Sequence, residues 1–404
     1  VKIKVKPEDF VVRESPLLNA AAEPAAFRIY RLRKKQWDSF ELVGVLARRL
    51  GVRQEDIALA GRKDRYGDSE QLVSVKNRNG LPDKIEGLNY SLVHEGYARK
   101  KLAAADIAGN SFRITLRDIE PGEIERMKKN CLAVRSWGFP NYFDEQRFGS
   151  ARAGRGFLGK ALFLGRMEEA LKIFLAPAEN DRGEEKAFKL KAAALWRQWG
   201  KIDAPVPRKY ARVFAVLTSP GGSLAFKKAV NAIDRDLLVL SLQAYQSFLF
   251  NRLLAYYLDS LREAKEIGAL ETFPFKYGDL LFYRELTPEV YERLKNLSLP
   301  VPGRDTTAAD PLVRRALDRA LAEENIGLEN LKVKKLHGKA VRGTERKAAV
   351  APERFAFDEP ARDELYPGRL KLTLHFFLPR GSYATMLVKR ISLGTGKKTK
   401  ENYG

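Results

Sequence analysis

The chain has 404 residues, 45% hydrophobic and 31% charged, with 73 Lys and Arg against 51 Asp and Glu, a formal net charge of +22. That length allows two or three domains with their own cores, and the charge points to a polyanionic partner, nucleic acid before an anionic membrane surface. One cysteine, Cys131, excludes an intrachain disulfide and fits a reducing, cytoplasmic compartment. The histidines (His94, His337 and His375) are scattered, with no Cys/His cluster, so no metal site is expected.

Residues from Val1 to Glu14 alternate, with Ile3 and Val5 between Lys2, Lys4 and Lys6, and read as a half-buried strand; Pro7-Glu8-Asp9-Phe10 turns the chain, and Val11-Val12 resumes an extended run. Charges run through Val1 to Phe10, unlike a secretory signal. Phe10 is either a base-stacking aromatic or an ordinary core residue. Phe27 to Leu32 reads as a second strand. Asp38, with Glu41 three residues on, predicts a capping box. The following helix has an apolar stripe of Leu42, Val43, Leu46 and Leu50 and ends at Gly51.

The loop Gly61-Arg62-Lys63-Asp64-Arg65-Tyr66-Gly67 then holds one carboxylate among three bases. Its glycines permit a tight turn or close approach. Lys63 and Arg65 would favour the ionised form of Asp64. A carboxylate on a basic loop can act as nucleophile or base toward an anionic substrate; the same triplet also suits a solvated turn with local ion pairs. Leu72 to Val75, Tyr90 to Val93 and Phe112 to Leu116 read as strands. A helix follows Pro121-Gly122, with Ile124, Met127, Cys131 and Val134 on one side. Strands and helices mixed in this order suit an α/β or α+β domain with a mixed sheet.

Asn141 to Gly149 contains three aromatics, two amides and an arginine. Aromatics offer faces for unstacked bases, and amides can read the edge of a uracil; an aromatic turn plugging a core, with Asn141 capping the backbone, is the other reading. The glycines and arginines from Gly149 to Gly159 look like a domain crossing. Helices are expected through Trp196, with Glu179 to Lys189 a solvated surface and Pro205 to Tyr210 a rigid linker. Asp236 to Leu261 reads as a long buried helix, too polar at Gln243, Gln246, Asn251 and Arg252 to span a membrane. Gly278 to Phe282 reads as a turn into a strand, and Asp310 to Glu324 as a helix. The basic run through Lys332, Lys334, Lys335, Lys339, Arg342 and Arg346 is a solvated face or a phosphate-contacting one. Lys371 to Leu378 reads as a core strand, Tyr383 to Ile391 as a helix capped by Ser382, and Gly394 to Gly404 as a disordered tail.

Four separated stretches resemble the TruD family of RNA pseudouridine synthases. Lys6-Pro7-Glu8-Asp9-Phe10-Val11-Val12-Arg13-Glu14 is similar to its N-terminal motif. Ala60-Gly61-Arg62-Lys63-Asp64-Arg65 is similar to its catalytic loop. Asn141 to Gly149 resembles its aromatic motif, and Leu378-Pro379-Arg380-Gly381-Ser382-Tyr383-Ala384-Thr385 its C-terminal piece. Gln246-Ser247 with Phe250-Asn251 is a fifth, weaker likeness. The order is the family's, and the pieces span nearly the whole chain.

The resemblance implies a pseudouridine synthase catalytic domain with a mixed, mainly antiparallel sheet flanked by helices. It is built from residues 1–153 and 361–404, with a TRUD-type α+β domain, 154–360, inserted and the active cleft where they meet. It implies an isomerase that converts uridine to pseudouridine in tRNA, at position 13, without cofactor or metal. Asp64 would be the catalytic aspartate, kept ionised by Lys63 and Lys4. Phe10, Tyr383 and Asn141 would contact the flipped uridine, and Phe143 would shape the pocket. A monomer is expected. Asp144 replaces the motif glycine; a positive φ there would be tolerated by Asp better than by most residues. The competing readings are a non-catalytic RNA-binding protein or tRNA chaperone, and an RNA methyltransferase. The latter lacks its Gly-rich loop after a strand.

Overall fold

The computed structural model describes residues 1–404 except 62, 150, 153–155, 179–180, 220–221, 333–340, 396–399 and 402–404. Arg62, Gly154, Arg155, Glu179, Lys334, Lys335, Lys339 and most of the expected tail therefore lie outside the described residues. The chain divides into two compact units, Val1–Phe139 with Val350–Gly404, and Pro140–Ala349. The glycine-rich break near residue 154 falls inside the second unit, where Ala151–Arg152 pairs with Gly156–Phe157.

The first unit is built on one mixed sheet. Its spatial path runs Glu353–Phe357, Leu370–Pro379, Ile107–Ile119, Phe10–Pro16, Asp68–Lys76, Phe27–Lys35, Tyr90–Ala98, Lys84–Gly87. Along that path only Phe10–Pro16 and Asp68–Lys76 run parallel. The sheet is therefore mixed and mainly antiparallel, as expected. Alternation sends Tyr30, Leu32 and Val73 into a core with Leu42 and Leu46 of the Ser39–Leu50 helix. Asp38 caps that helix by accepting from the N–H groups of Phe40 and Glu41.

The helices Ile124–Trp137 and Ala384–Ile391 pack on each other. Met127, Cys131, Val134 and Met386 are buried there, and burial pushes the Cys131 thiol up to about 12. The cap expected from Ser382 is not formed: Tyr383 occupies the N-cap position, with no side-chain cap hydrogen bond. The turn expected at Pro7 to Phe10 is present, but the first strand stops sooner than expected. Lys2–Ile3 is extended, Lys4 takes a left-handed φ of 58°, and Pro7–Asp9 forms one 3₁₀ turn before the strand resumes at Phe10.

The second unit is organised by the helix Arg235–Glu263. Both Pro311–Glu323 and Leu158–Phe163 pack against it, and Leu270–Phe273 pairs with Leu280–Tyr283 as a hairpin. The stretch expected to be solvated is not wholly so. Lys189 is buried and meets Asp181 at 2.8 Å and Glu185 at 2.9 Å, and Phe188 is buried as well. The expected linker at Pro205 to Tyr210 ends in a helix, Arg208–Thr218, with Pro207 at its N-cap.

Candidate active site

Two strands share one edge of Asp68–Lys76. Phe10–Pro16 pairs at Asp68 to Glu70, and Ile57–Leu59 at Val73 to Val75. In the gap between them the Leu72 N–H donates to the Glu14 carboxylate at 3.1 Å. The Lys63 ammonium donates to the other oxygen of that carboxylate at 2.6 Å. Both side chains are nearly fully buried, at 7% and 2% exposure. The cationic loop thus leaves the sheet at a point anchored by a buried ion pair. It returns at Gly67, where a Cβ would stand 2.6 Å from the Phe10 carbonyl oxygen; no larger residue fits without a backbone shift. At Gly61 a Cβ would make only ordinary contacts.

Between these anchors the Asp64 carboxylate lies 3.2 Å from the Lys4 ammonium, with side-chain exposures of 27% and 1% respectively. Lys4 also stands over the Phe10 ring, 4.6 Å from its centroid. Phe10 is buried and meets Phe112 edge-on. The left-handed backbone at Lys4 is the kind of local strain that a packed site can hold in place. Lys4, Phe10 and Asp64 are thus brought together. Lys63, expected to flank and charge Asp64, turns instead to Glu14, because a buried carboxylate attracts the nearby ammonium more strongly than a partly solvated one does. Arg65 lies 3.9 Å from Glu41. Tyr383, partly buried, belongs to the same unit, at the start of the Ala384–Ile391 helix.

Asn141 and Phe143 lie in the second unit and are held as a pair. The Asn251 side chain accepts from the Phe143 N–H at 2.8 Å and donates to the Phe143 carbonyl at 2.9 Å. Asn141 is buried and donates through Nδ2 to the Lys347 carbonyl at 3.1 Å. The Arg346 guanidinium donates to the Asn141 carbonyl and to its Oδ1, both at 2.7 Å. It also lies 4.0 Å from the Phe143 ring centroid. Arg346, read in the sequence as part of a basic run, is therefore a clamp on this motif. Asp144 has φ −97° and accepts from the Glu145 N–H, so the position needs no left-handed residue and the loss of the motif glycine costs no backbone strain.

Sequence reasoning singled out neither Lys34, Glu14 nor Arg346 as site residues. The signal for Lys34 was its register: it continues the inward Tyr30, Leu32 series. Glu14 lay inside the N-terminal motif, but its partner is 49 positions away, and Arg346 reaches Asn141 across 205. Among the described residues no group of three or more His, Cys, Asp or Glu is placed to hold a metal, and no helix is long and apolar enough to cross a membrane.

The model of the family described as tRNA pseudouridine synthase D (TruD) matches residues 1–391. A relative from Methanocaldococcus jannaschii, named probable tRNA pseudouridine synthase D 2, is 30% identical over 99% of this chain and 94% of its own. The tRNA pseudouridine synthase D of Aquifex aeolicus is 28% identical over 97% and 98%. A crystal structure from Methanosarcina mazei that carries the TruD name superposes with a TM-score of 0.71 and 26% identity, covering 96% of this chain and 92% of that one. Fold and sequence together place the chain among the RNA pseudouridine synthases, a class of isomerases. Within that class it belongs to the TruD family, tRNA pseudouridine synthase D.

Proposed function

We propose that this chain isomerises a uridine of tRNA to pseudouridine, at position 13, with Asp64 as the catalytic carboxylate. The observation that carries the reading is the partly exposed Asp64 carboxylate set 3.2 Å from the buried ammonium of Lys4. A fixed cation at that distance restricts where the carboxylate points. In the reaction the N1–C1′ bond breaks, the uracil turns, a C5–C1′ bond forms, and the proton leaving C5 is balanced by one gained at N1. Asp64 opens the sequence either by attacking C1′ or by taking a proton from the sugar. The base must leave its stack to reach it. By the family resemblance, Phe10 and Tyr383 of the first unit contact the uridine; the substrate roles of Asn141 and Phe143, in the second unit, rest on the motif they share with the family. The second unit is the TRUD-type insertion of this scheme.

The test uses tRNA transcripts tritiated at uridine C5. Forming the new bond releases tritium to water, and mapping the product locates the modified base. Wild type should release tritium. Asp64→Asn should release none while keeping its tRNA affinity, which rests on many phosphate contacts. Turnover by Asp64→Asn would remove the catalytic assignment. Tight, salt-sensitive binding by wild type without release from any tRNA would favour the chaperone reading.

A further inference from the structure

Lys34 is the last inward residue of the Phe27–Lys35 strand, paired across the sheet with Ser69. Its relative exposure is 0%. Its ammonium donates to three backbone carbonyls: Trp37 at 2.8 Å, Asp64 at 2.9 Å and Lys63 at 3.3 Å. A lysine ammonium has three donors, and these carbonyls take all of them. The buried lysines Lys4 and Lys189 meet carboxylates directly. Lys34 instead ends on backbone oxygen, and two of its three acceptors belong to the segment that displays Asp64.

A cation buried among neutral acceptors is costly to hold. Burial pushes the Lys34 ammonium down to about 8, with Asp64 and Asp38 opposing the fall and Lys63 adding to it. An apolar side chain would avoid that cost but would take this donor from the Trp37, Lys63 and Asp64 carbonyls. The loop has further ties on either side. The Ser39 hydroxyl donates to the Lys63 carbonyl and accepts from the Lys63 N–H, and Lys63 itself is pinned to Glu14. Among these contacts, that from Lys34 is the one that grips the backbone of Asp64.

We propose that Lys34 is a positioning residue for the isomerisation, holding the Lys63–Asp64 backbone so that the Asp64 carboxylate stays in register with Lys4. The inference rests on the reading of Asp64 as the catalytic group. Misplacing a reacting group by about 1 Å can cost about a hundredfold in rate, and loss of Lys34 removes its hydrogen bonds to the Lys63 and Asp64 carbonyls.

The experiment measures single-turnover tritium release, tRNA affinity by filter binding and thermal melting for wild type, Asp64→Asn, Lys34→Met and Lys34→Arg. Lys34→Met, matched in length and apolar, should fold and bind tRNA within about threefold of wild type yet react about a hundredfold more slowly. Lys34→Arg, which keeps charge and donors, should recover about tenfold of that loss. A folded Lys34→Met that reacts within about threefold of wild type overturns the proposal. So does a rate loss matched by an equal loss of affinity. If Lys34→Met does not fold, Lys34→Arg decides alone: slower reaction at unchanged affinity supports positioning, and an unchanged rate rejects it. An active Asp64→Asn would sink the underlying reading, whereas an inactive Asp64→Asn beside a fully active Lys34→Met sinks this inference only.

Discussion

Glu14 joins a strand edge, a buried cation and the start of the cationic loop through one carboxylate. Removing it orphans the Leu72 N–H and leaves the Lys63 ammonium buried without its partner. Loss of one member of a buried pair costs about 3–5 kcal/mol. Glu14→Ala should therefore lower unfolding free energy by about 3 kcal/mol in urea titrations. The double variant with Lys63→Met should lose clearly less than the sum of the two single variants, since both remove the same interaction. Strict additivity would show that the pair is energetically independent. The residue scale also explains why motif reading placed Lys63 beside Asp64. Adjacent positions suggest adjacent charges, but a side chain follows its strongest accessible partner.

Single helices carry a different kind of electrostatics. On Gly183–Ala194, Glu185 meets Lys189 at 2.9 Å, Lys209 at 2.7 Å and the Tyr210 hydroxyl at 2.7 Å. Burial would raise this carboxyl, but hydrogen bonds from Lys209, Lys189 and Tyr210 win and hold it down at about 2. A depressed carboxyl stabilises the fold above its unfolded value of 4.5 and loses that contribution as pH falls toward about 2. Glu185→Gln should accordingly flatten the acid side of the stability curve between about pH 4.5 and pH 2 and lower stability at neutral pH. Melting temperatures of both proteins across that range give the comparison; parallel curves would show that Glu185 carries no linkage.

Elements were legible in proportion to how local their causes are. The Ser39–Leu50 helix announced itself by a cap, a stripe and a terminal glycine, all within a dozen or so residues. The long helix was visible as a continuous apolar run. The break at Lys4 was not, because alternating residues read as one strand whatever the φ of a single lysine. The buried Lys189 was hidden for another reason: a charge-rich stretch looks solvated until its own charges, here Lys189 with Asp181 and Glu185, are seen to pair with each other.

For the molecule as a whole, a net charge of +22 predicts strongly salt-dependent tRNA binding. If about six phosphates are neutralised, raising monovalent salt from about 50 to about 200 mM should weaken binding roughly a thousandfold. The slope of affinity against salt, on logarithmic axes, reads out the number of contacts. A flat dependence would show that the basic surface does not engage the RNA backbone.

The sequence by itself determined the class of partner through its charge, the mixed sheet through its periodicities, and the family through four short motifs in order. These are properties of composition and local spacing. Motif resemblance already paired Lys4 with Asp64, but tertiary structure alone decided the other meetings: Lys63 with Glu14, Asn251 with Phe143, Arg346 with Asn141, and Lys34 with the carbonyls of Lys63 and Asp64. Those partners come from strands and helices far apart in the chain. Only strand register and packing set their distances, and the strength of a charge or hydrogen bond depends on that distance and on burial.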